Sequence, residues 1–74
     1  MKTFTVESSA IETLGWEDQS LFAKFKGGGC YRYAGVGKTH LESILNADSI
    51  GKAFHQIVKK GGFRYEKLEA DPFI

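Results

Sequence analysis

The sequence predicts an α+β domain, a small antiparallel β-meander of about three to five strands with a helix or kinked helix pair packed on one face. Three observations carry this expectation. Short stretches rich in β-branched and aromatic residues alternate along the first half of the chain, glycine clusters and an acidic turn punctuate them, and at Lys38 the apolar period changes from two to about 3.6. A final alternating stretch follows the helical part, so the chain returns to the sheet.

Thr3–Glu7 alternates and reads as a short first strand, broken at Ser8–Ser9. Ala10–Trp16 reads as a second strand, although its apolar residues fall on both faces, and Glu17–Asp18–Gln19 is a turn. In the third strand Leu21, Ala23 and Phe25 share one side, while Phe22, Lys24 and Lys26 share the other. Gly27–Gly28–Gly29 then supplies a hairpin, because glycine adopts positive φ without steric cost. The fourth strand places Tyr31 and Tyr33 on one face and Cys30, Arg32 and Ala34 on the other, ending at Gly35–Val36–Gly37.

Leu41, Ile44 and Leu45 have helical spacing, and Thr39 with Glu42 three residues later predicts a capping box at or near the start of that helix. Asn46–Ser49 interrupts the period. Ile50, Ala53, Phe54 and Ile57 resume it as far as Lys59 or Lys60, where the two lysines suit the negative helix end and Gly61 can close it. Phe63–Leu68 is predicted as the last strand, and 69–74 as a short tail containing Pro72; the whole, 1–74, is a single domain. Phe25, Tyr31, Tyr33, Phe54, Phe63 and Tyr65 are more aromatic surface than one side of so small a sheet can hide, so some are expected at a groove or partner.

Composition narrows the functional classes. With 74 residues, one core must offset a backbone-ordering cost of roughly 1–2 kcal/mol per residue. A single cysteine and two histidines supply neither a disulfide framework nor a structural zinc site, and no cofactor is implied. Ten Lys and Arg against nine Asp and Glu leave a net charge of +1, which does not support attraction of nucleic acid by bulk charge. No apolar run of about 18 residues occurs, so no membrane partner is expected and the protein reads as soluble and cytoplasmic. A domain this thin favours binding over catalysis.

Gly35–Val36–Gly37–Lys38–Thr39 resembles the end of a phosphate-binding loop, but the first glycine of that motif is replaced by Arg32, inside a strand. A strand-to-helix turn is the simpler reading, with anion binding at Gly37 and Lys38 as the functional one. Lys38, Lys52, Lys59 and Lys60 form either a basic helical stripe or a solvated face interspersed with acids. The candidate ligand-binding residues are Tyr31, Arg32, Tyr33, Gly37, Lys38, Ser49, Lys52 and Arg64: tyrosines to stack on a planar ring, arginines to fork onto phosphate, and the helix entrances to hold an anion. Ser8–Ser9 and Asp48–Ser49 read as turn and cap groups, and neither Cys30 nor His40 nor His55 has an orienting partner at a diagnostic spacing, so no catalytic residue is assigned.

Ser8–Ser9–Ala10–Ile11, Leu14–Gly15–Trp16, Leu21-x-Ala23-x-Phe25-x-x-Gly28, Tyr31–Arg32–Tyr33-x-x-Val36 and Ala47-x-Ser49-x-Gly51-x-x-Phe54, in that order, resemble the KTSC domain family over about residues 6 to 66. That family takes its name from an association with the carboxyl end of some lysyl-tRNA synthetases and includes many short members from bacteria and phages. The chain departs from the pattern where the family commonly has Val–Pro, offering Val36–Gly37, where it has asparagine after the phenylalanine, offering His55, and at Val58–Lys59. Glycine for proline leaves an extra backbone N–H at the helix entrance. The resemblance implies a compact module and brings no activity with it. It is compatible with a small inhibitor or a ligand-sequestering protein, in the host cytoplasm if encoded by a phage.

Two functions follow as expectations. The first is a noncatalytic module that captures a nucleotide, short nucleic acid or other phosphate-bearing ligand. The second is a protein-interaction module, such as a phage accessory or anti-defence inhibitor, recruiting a protein partner or a second copy of itself at a sheet edge near Phe63–Leu68.

Overall fold

The computed structural model describes residues 1–74. Five strands, β1 (Lys2–Thr5), β2 (Ile11–Glu17), β3 (Ser20–Phe25), β4 (Cys30–Ala34) and β5 (Tyr65–Leu68), form one sheet in sequence order, every neighbouring pair antiparallel. Between β4 and β5 lie α1 (Lys38–Leu45), α2 (Ile50–Phe54) and a π-helical turn, His55–Lys59, running on from α2. This is the expected α+β meander with a broken helical layer on one face.

The turns follow from backbone chemistry. Asp18 and Gln19 both have positive φ, 49° and 59°, which makes the two-residue connection from β2 to β3 a mirror-image turn matched to strand twist. Of the three glycines after β3, Gly27 takes the left-handed conformation at φ 70°. Two backbone bonds, Phe25 N–H to Gly29 O and Gly28 N–H to Phe25 O, both 3.2 Å, close the neck of that hairpin.

The mixed pattern of the second strand has a specific cause. Ile11 pairs with Phe25 but Thr13 pairs with Lys24, so Glu12 is an extra residue in β2. Such a bulge resets the alternation. Ile11 and Leu14, an odd number of residues apart, thereby both reach the core, at 1% and 0% exposure. With them lie Leu21, Ala23 and Tyr33 from the sheet, Val36 from the loop, Leu41 and Ile44 from α1, Phe54 from α2 and Val58 from the π turn.

Both helix entrances can be traced to named groups. α1 begins at Lys38, ahead of the expected Thr39–Glu42 box: Gly37 is the N-cap, and the Nδ1 of His40 accepts the Gly37 N–H at 3.2 Å. Ser49 caps α2 as expected, its Oγ accepting the Lys52 N–H at 3.3 Å. The C-terminal closure shifts by one residue, since Gly62, at φ 76°, carries the left-handed conformation instead of Gly61. β5 correspondingly starts at Tyr65; Phe63 and Arg64 lead into it, with the Arg64 carbonyl accepting the Ala34 N–H at 2.8 Å.

Residues 69–74 form neither helix nor strand but cross the face of the sheet opposite the helices. Lys24 Nζ lies 2.6 Å from an Asp71 carboxylate oxygen and 3.2 Å from Glu12, and the other Asp71 oxygen accepts the Phe73 N–H at 2.8 Å. Phe73 and Met1 converge over Gly15, where a Cβ would sit 2.8 Å from the Phe73 ring and 2.7 Å from the Met1 sulfur. A side chain at position 15 would displace the Met1 thioether and the Phe73 ring, and the middle strands are covered on this face as well as by the helices.

Candidate functional site

Strand register decides which side chains share a surface. Tyr31 stands opposite Ala23 and Lys67, and Tyr33 opposite Leu21 and Tyr65, so Tyr31, Tyr33, Tyr65 and Lys67 all emerge on the helix side of the sheet. The helical layer stops short of β5 and leaves Tyr65 exposed and Tyr31 half-buried, with Tyr33 buried between them and the core. The result is a groove of about 470 Å³ lined by Phe25, Tyr31, Tyr33, Phe63 and Tyr65, with Gly28, Gly29, Val58 and Lys59 completing it. That size suits a small ligand.

The rings form a connected set. Tyr31 and Tyr33 stack at 6.4 Å, Tyr65 lies 5.7 Å from Tyr33 and 6.4 Å from Tyr31, and Phe25 meets Tyr31 edge to face at 5.7 Å. Beneath them, Phe54 holds Phe25 and Tyr33 edge-on at 5.6 and 5.4 Å. The surplus of aromatics is thus divided: Phe54 and Tyr33 are core, at 2% and 4% exposure, while Tyr65 is 68% exposed. Phe63 folds back against His40, 5.2 Å between centroids, and forms one wall. Burial first, then the neighbouring Tyr31 and Tyr65, push the Tyr33 phenol up to about 12, so it stays a neutral donor at physiological pH. Lys59 Nζ sits 5.4 Å from the Phe25 centroid, a cation over the ring face. No carboxylate lines the groove.

The eight candidate ligand-binding residues do not converge. Tyr31 and Tyr33 lie in the groove, and Arg64 is exposed in the chain between two of its walls, Phe63 and Tyr65. Arg32 emerges on the opposite face, 3.5 Å from Glu66. Gly37 and Lys38 stand at the start of α1, where the Gly37 N–H is already taken by His40. The loop before it is fixed: Val36 is fully buried, its N–H donates to Gln19 O at 2.9 Å, and its carbonyl accepts from the Trp16 indole at 2.8 Å.

Ser49 and Lys52 lie in a second, polar depression of about 520 Å³ between the β1–β2 loop and α2, together with Glu7, Ser8, Asp48 and His55. Its hydroxyls serve the backbone. Ser49 Oγ caps α2, and Ser8 Oγ accepts the N–H groups of Ala10 and Ile11, both at 3.2 Å. No side-chain hydrogen bond joins Ser49, His55 and a carboxylate, and no group of three or more His, Cys, Asp and Glu is placed to hold a metal. Cys30 is buried on the rear face, and desolvation raises its thiol pKa, the opposite of an activated nucleophile.

Sequence reasoning named the aromatics but did not assign Lys59 and Lys67 to them. Lys59 reads as part of a helical stripe until the π turn sets its direction, and Lys67 joins the tyrosines only through the β4–β5 register.

Residues 7–65 match the family model of the KTSC domain. The chain is similar to an uncharacterised protein of Stutzerimonas stutzeri, 35% identical over 71 residues that cover 93% of this chain and 100% of that one. It is also similar to a protein of Tsukamurella paurometabola, 41% identical over 56 residues, 73% of this chain and 84% of that one. The fold superposes on the crystal structure of a KTSC domain protein from Yersinia pestis with a TM-score of 0.83 at 29% identity, over 90% of this chain and 96% of the other. No helix is long and apolar enough to cross a membrane.

Proposed function

The chain belongs to the KTSC domain family, and from that premise we propose that it is a noncatalytic binding module whose aromatic groove holds the planar ring of a nucleotide or of a base in a short nucleic acid. The observation that carries this reading is the groove itself. Five aromatic side chains bound a space of ligand size, with a lysine at one wall and no carboxylate. Aromatic faces bind bases tolerantly, because every base has a π-face. Tyr31 and the exposed Tyr65 supply the stacking surface, with the buried Tyr33 ring as its floor and Phe63 as the facing wall.

Calorimetric titration at low salt against nucleotides and short oligonucleotides tests the proposal. Stacking on an aromatic is worth about 1–3 kcal/mol per base, so Tyr65→Ala, at an exposed position that leaves the core intact, is expected to weaken binding about tenfold or more. Flat titrations across the whole panel would sink the idea.

A second reading has its own observation. β5 is an edge strand with three exposed residues, Tyr65, Glu66 and Lys67, and its outer backbone groups are open to pairing with a protein partner or another copy of the chain.

A further inference from the structure

We propose that the hairpin end of the groove, between Lys59 and Lys67, seats a phosphate monoester, so that the groove takes a ligand of mononucleotide size, ring toward Tyr65 and Phe63 and phosphate at the Phe25–Gly29 neck. The inference rests on the groove reading and adds an orientation and a ligand class to it.

Two cations bear on one short neck. Lys59 places its ammonium over the Phe25 ring, and Phe25 is tied to Gly29 by the 3.2 Å backbone bond that closes the hairpin. Lys67 arrives from the other side. It shares the groove face with Tyr31, and a Cβ on Gly29 would lie 2.9 Å from its Cε and 3.8 Å from its Nζ. The Lys67 chain thus lies across Gly29, itself a lining residue, with its ammonium at the rim of the hairpin just outside the groove lining.

Neither ammonium is neutralised within the chain. Lys24 and Arg32 make ion pairs with Asp71, Glu12 and Glu66, whereas Lys59 and Lys67 make none. The nearest carboxylate in β5 belongs to Glu66, which emerges on the rear face. Apolar walls beside two unpaired cations concentrate the field at that end of the groove, where a compact dianion gains most. The neutral Tyr33 phenol adds no opposing charge. At the other end the exposed Tyr65 and the Phe63 wall suit a planar ring, which fixes the ligand's direction.

The test is calorimetric titration of adenosine 5′-monophosphate, adenosine, inorganic phosphate, and a trinucleotide with and without a 5′-phosphate, against the wild type and Lys59→Gln, Lys67→Gln and the double variant. The monophosphate is expected to bind about tenfold more tightly than adenosine, as charge-assisted contacts add to stacking. The double variant should bind the two equally while keeping its adenosine affinity, and Lys2→Gln, on the far edge strand, should leave the difference intact. A trinucleotide gaining the same factor from its 5′-phosphate identifies nucleic-acid ends as a source of the ligand; exclusion of both trinucleotides identifies the free nucleotide. Equal binding of monophosphate and adenosine by the wild type, still sensitive to Tyr65→Ala, would overturn the phosphate seat and leave the groove reading standing. No binding by either would overturn both.

Discussion

Lys24 shows how much of this small fold hangs on single residues. It faces away from the helices and draws Asp71, and with it the C-terminal residues, onto the back of the sheet. The hydrogen bond from Lys24 holds the Asp71 carboxyl below its ordinary value of 3.8, and the same bond, followed by one to Glu12, raises Lys24 above 10.5. The contribution of Asp71 is present at neutral pH and disappears as pH falls through its depressed pKa; that of Lys24 is lost as pH rises through its raised one. The ion pair is therefore intact between roughly pH 4 and 10.5. Acidification through the depressed pKa of Asp71, below its ordinary 3.8, should shift the NMR amide signals of Phe73 and Gly15 while Phe54 keeps its core signature, and Asp71→Asn should reproduce the change at neutral pH. An unchanged Phe73 signal in Asp71→Asn would mean that the apolar seat over Gly15 holds the segment by itself. The alternation of Phe22, Lys24 and Lys26 marks this face in the sequence, but nothing in residues 69–74 announces their destination, because one ion pair and one ring contact carry no period.

At the scale of elements, two local departures from regular geometry build the site. The bulge at Glu12 brings Ile11 and Leu14 to one face, which the plain alternation of Ala10–Trp16 does not resolve. The π turn widens the end of the second helical segment, buries Val58 and sends Lys59 over Phe25. Gly61 follows it closely, and a Cβ there would collide with the carbonyl oxygen of Ile57 and come within 2.8 Å of the Phe63 ring. A Cβ on Gly62 meets nothing, and the cost of alanine at that residue's positive φ is about 1 kcal/mol, or about 4–8 °C in Tm for a domain of this size. Thermal unfolding should show a larger loss for Gly61→Ala than for Gly62→Ala, and Gly61→Ala should also weaken groove binding by displacing Phe63. Equal losses at both positions would show that the π turn tolerates the added carbon. The glycines were legible as a helix stop, but which of them takes the left-handed conformation depends on how the preceding turn unwinds.

For the molecule as a whole, the closed and open parts of the sheet separate the packed surface from the one proposed to bind. The middle strands are covered on one side by helices and on the other by Met1 and the C-terminal residues, whereas β5 offers an aromatic face and a free edge together. If the edge recruits a second copy, light scattering should show a mass rising with concentration from 8.2 kDa toward twice that value, and ligand in the groove should alter the transition. A mass fixed at 8.2 kDa over the whole range rejects self-pairing.

The sequence by itself determined the fold class, the approximate elements and their inward faces, because periods of two and 3.6 and the glycine and acidic turns are local properties of the chain. It also determined that aromatic side chains exceed what the core can hold. Only the tertiary structure decided which of them remain open, that Arg32 faces away from Tyr31 and Tyr33 toward Glu66, and that the Gly37 N–H is occupied by His40. It alone brought Lys59 and Lys67, distant in sequence from Phe25 and Gly29, to one hairpin neck. Register and packing set those meetings, and both are fixed by the sum of contacts across the whole domain, which no single segment carries.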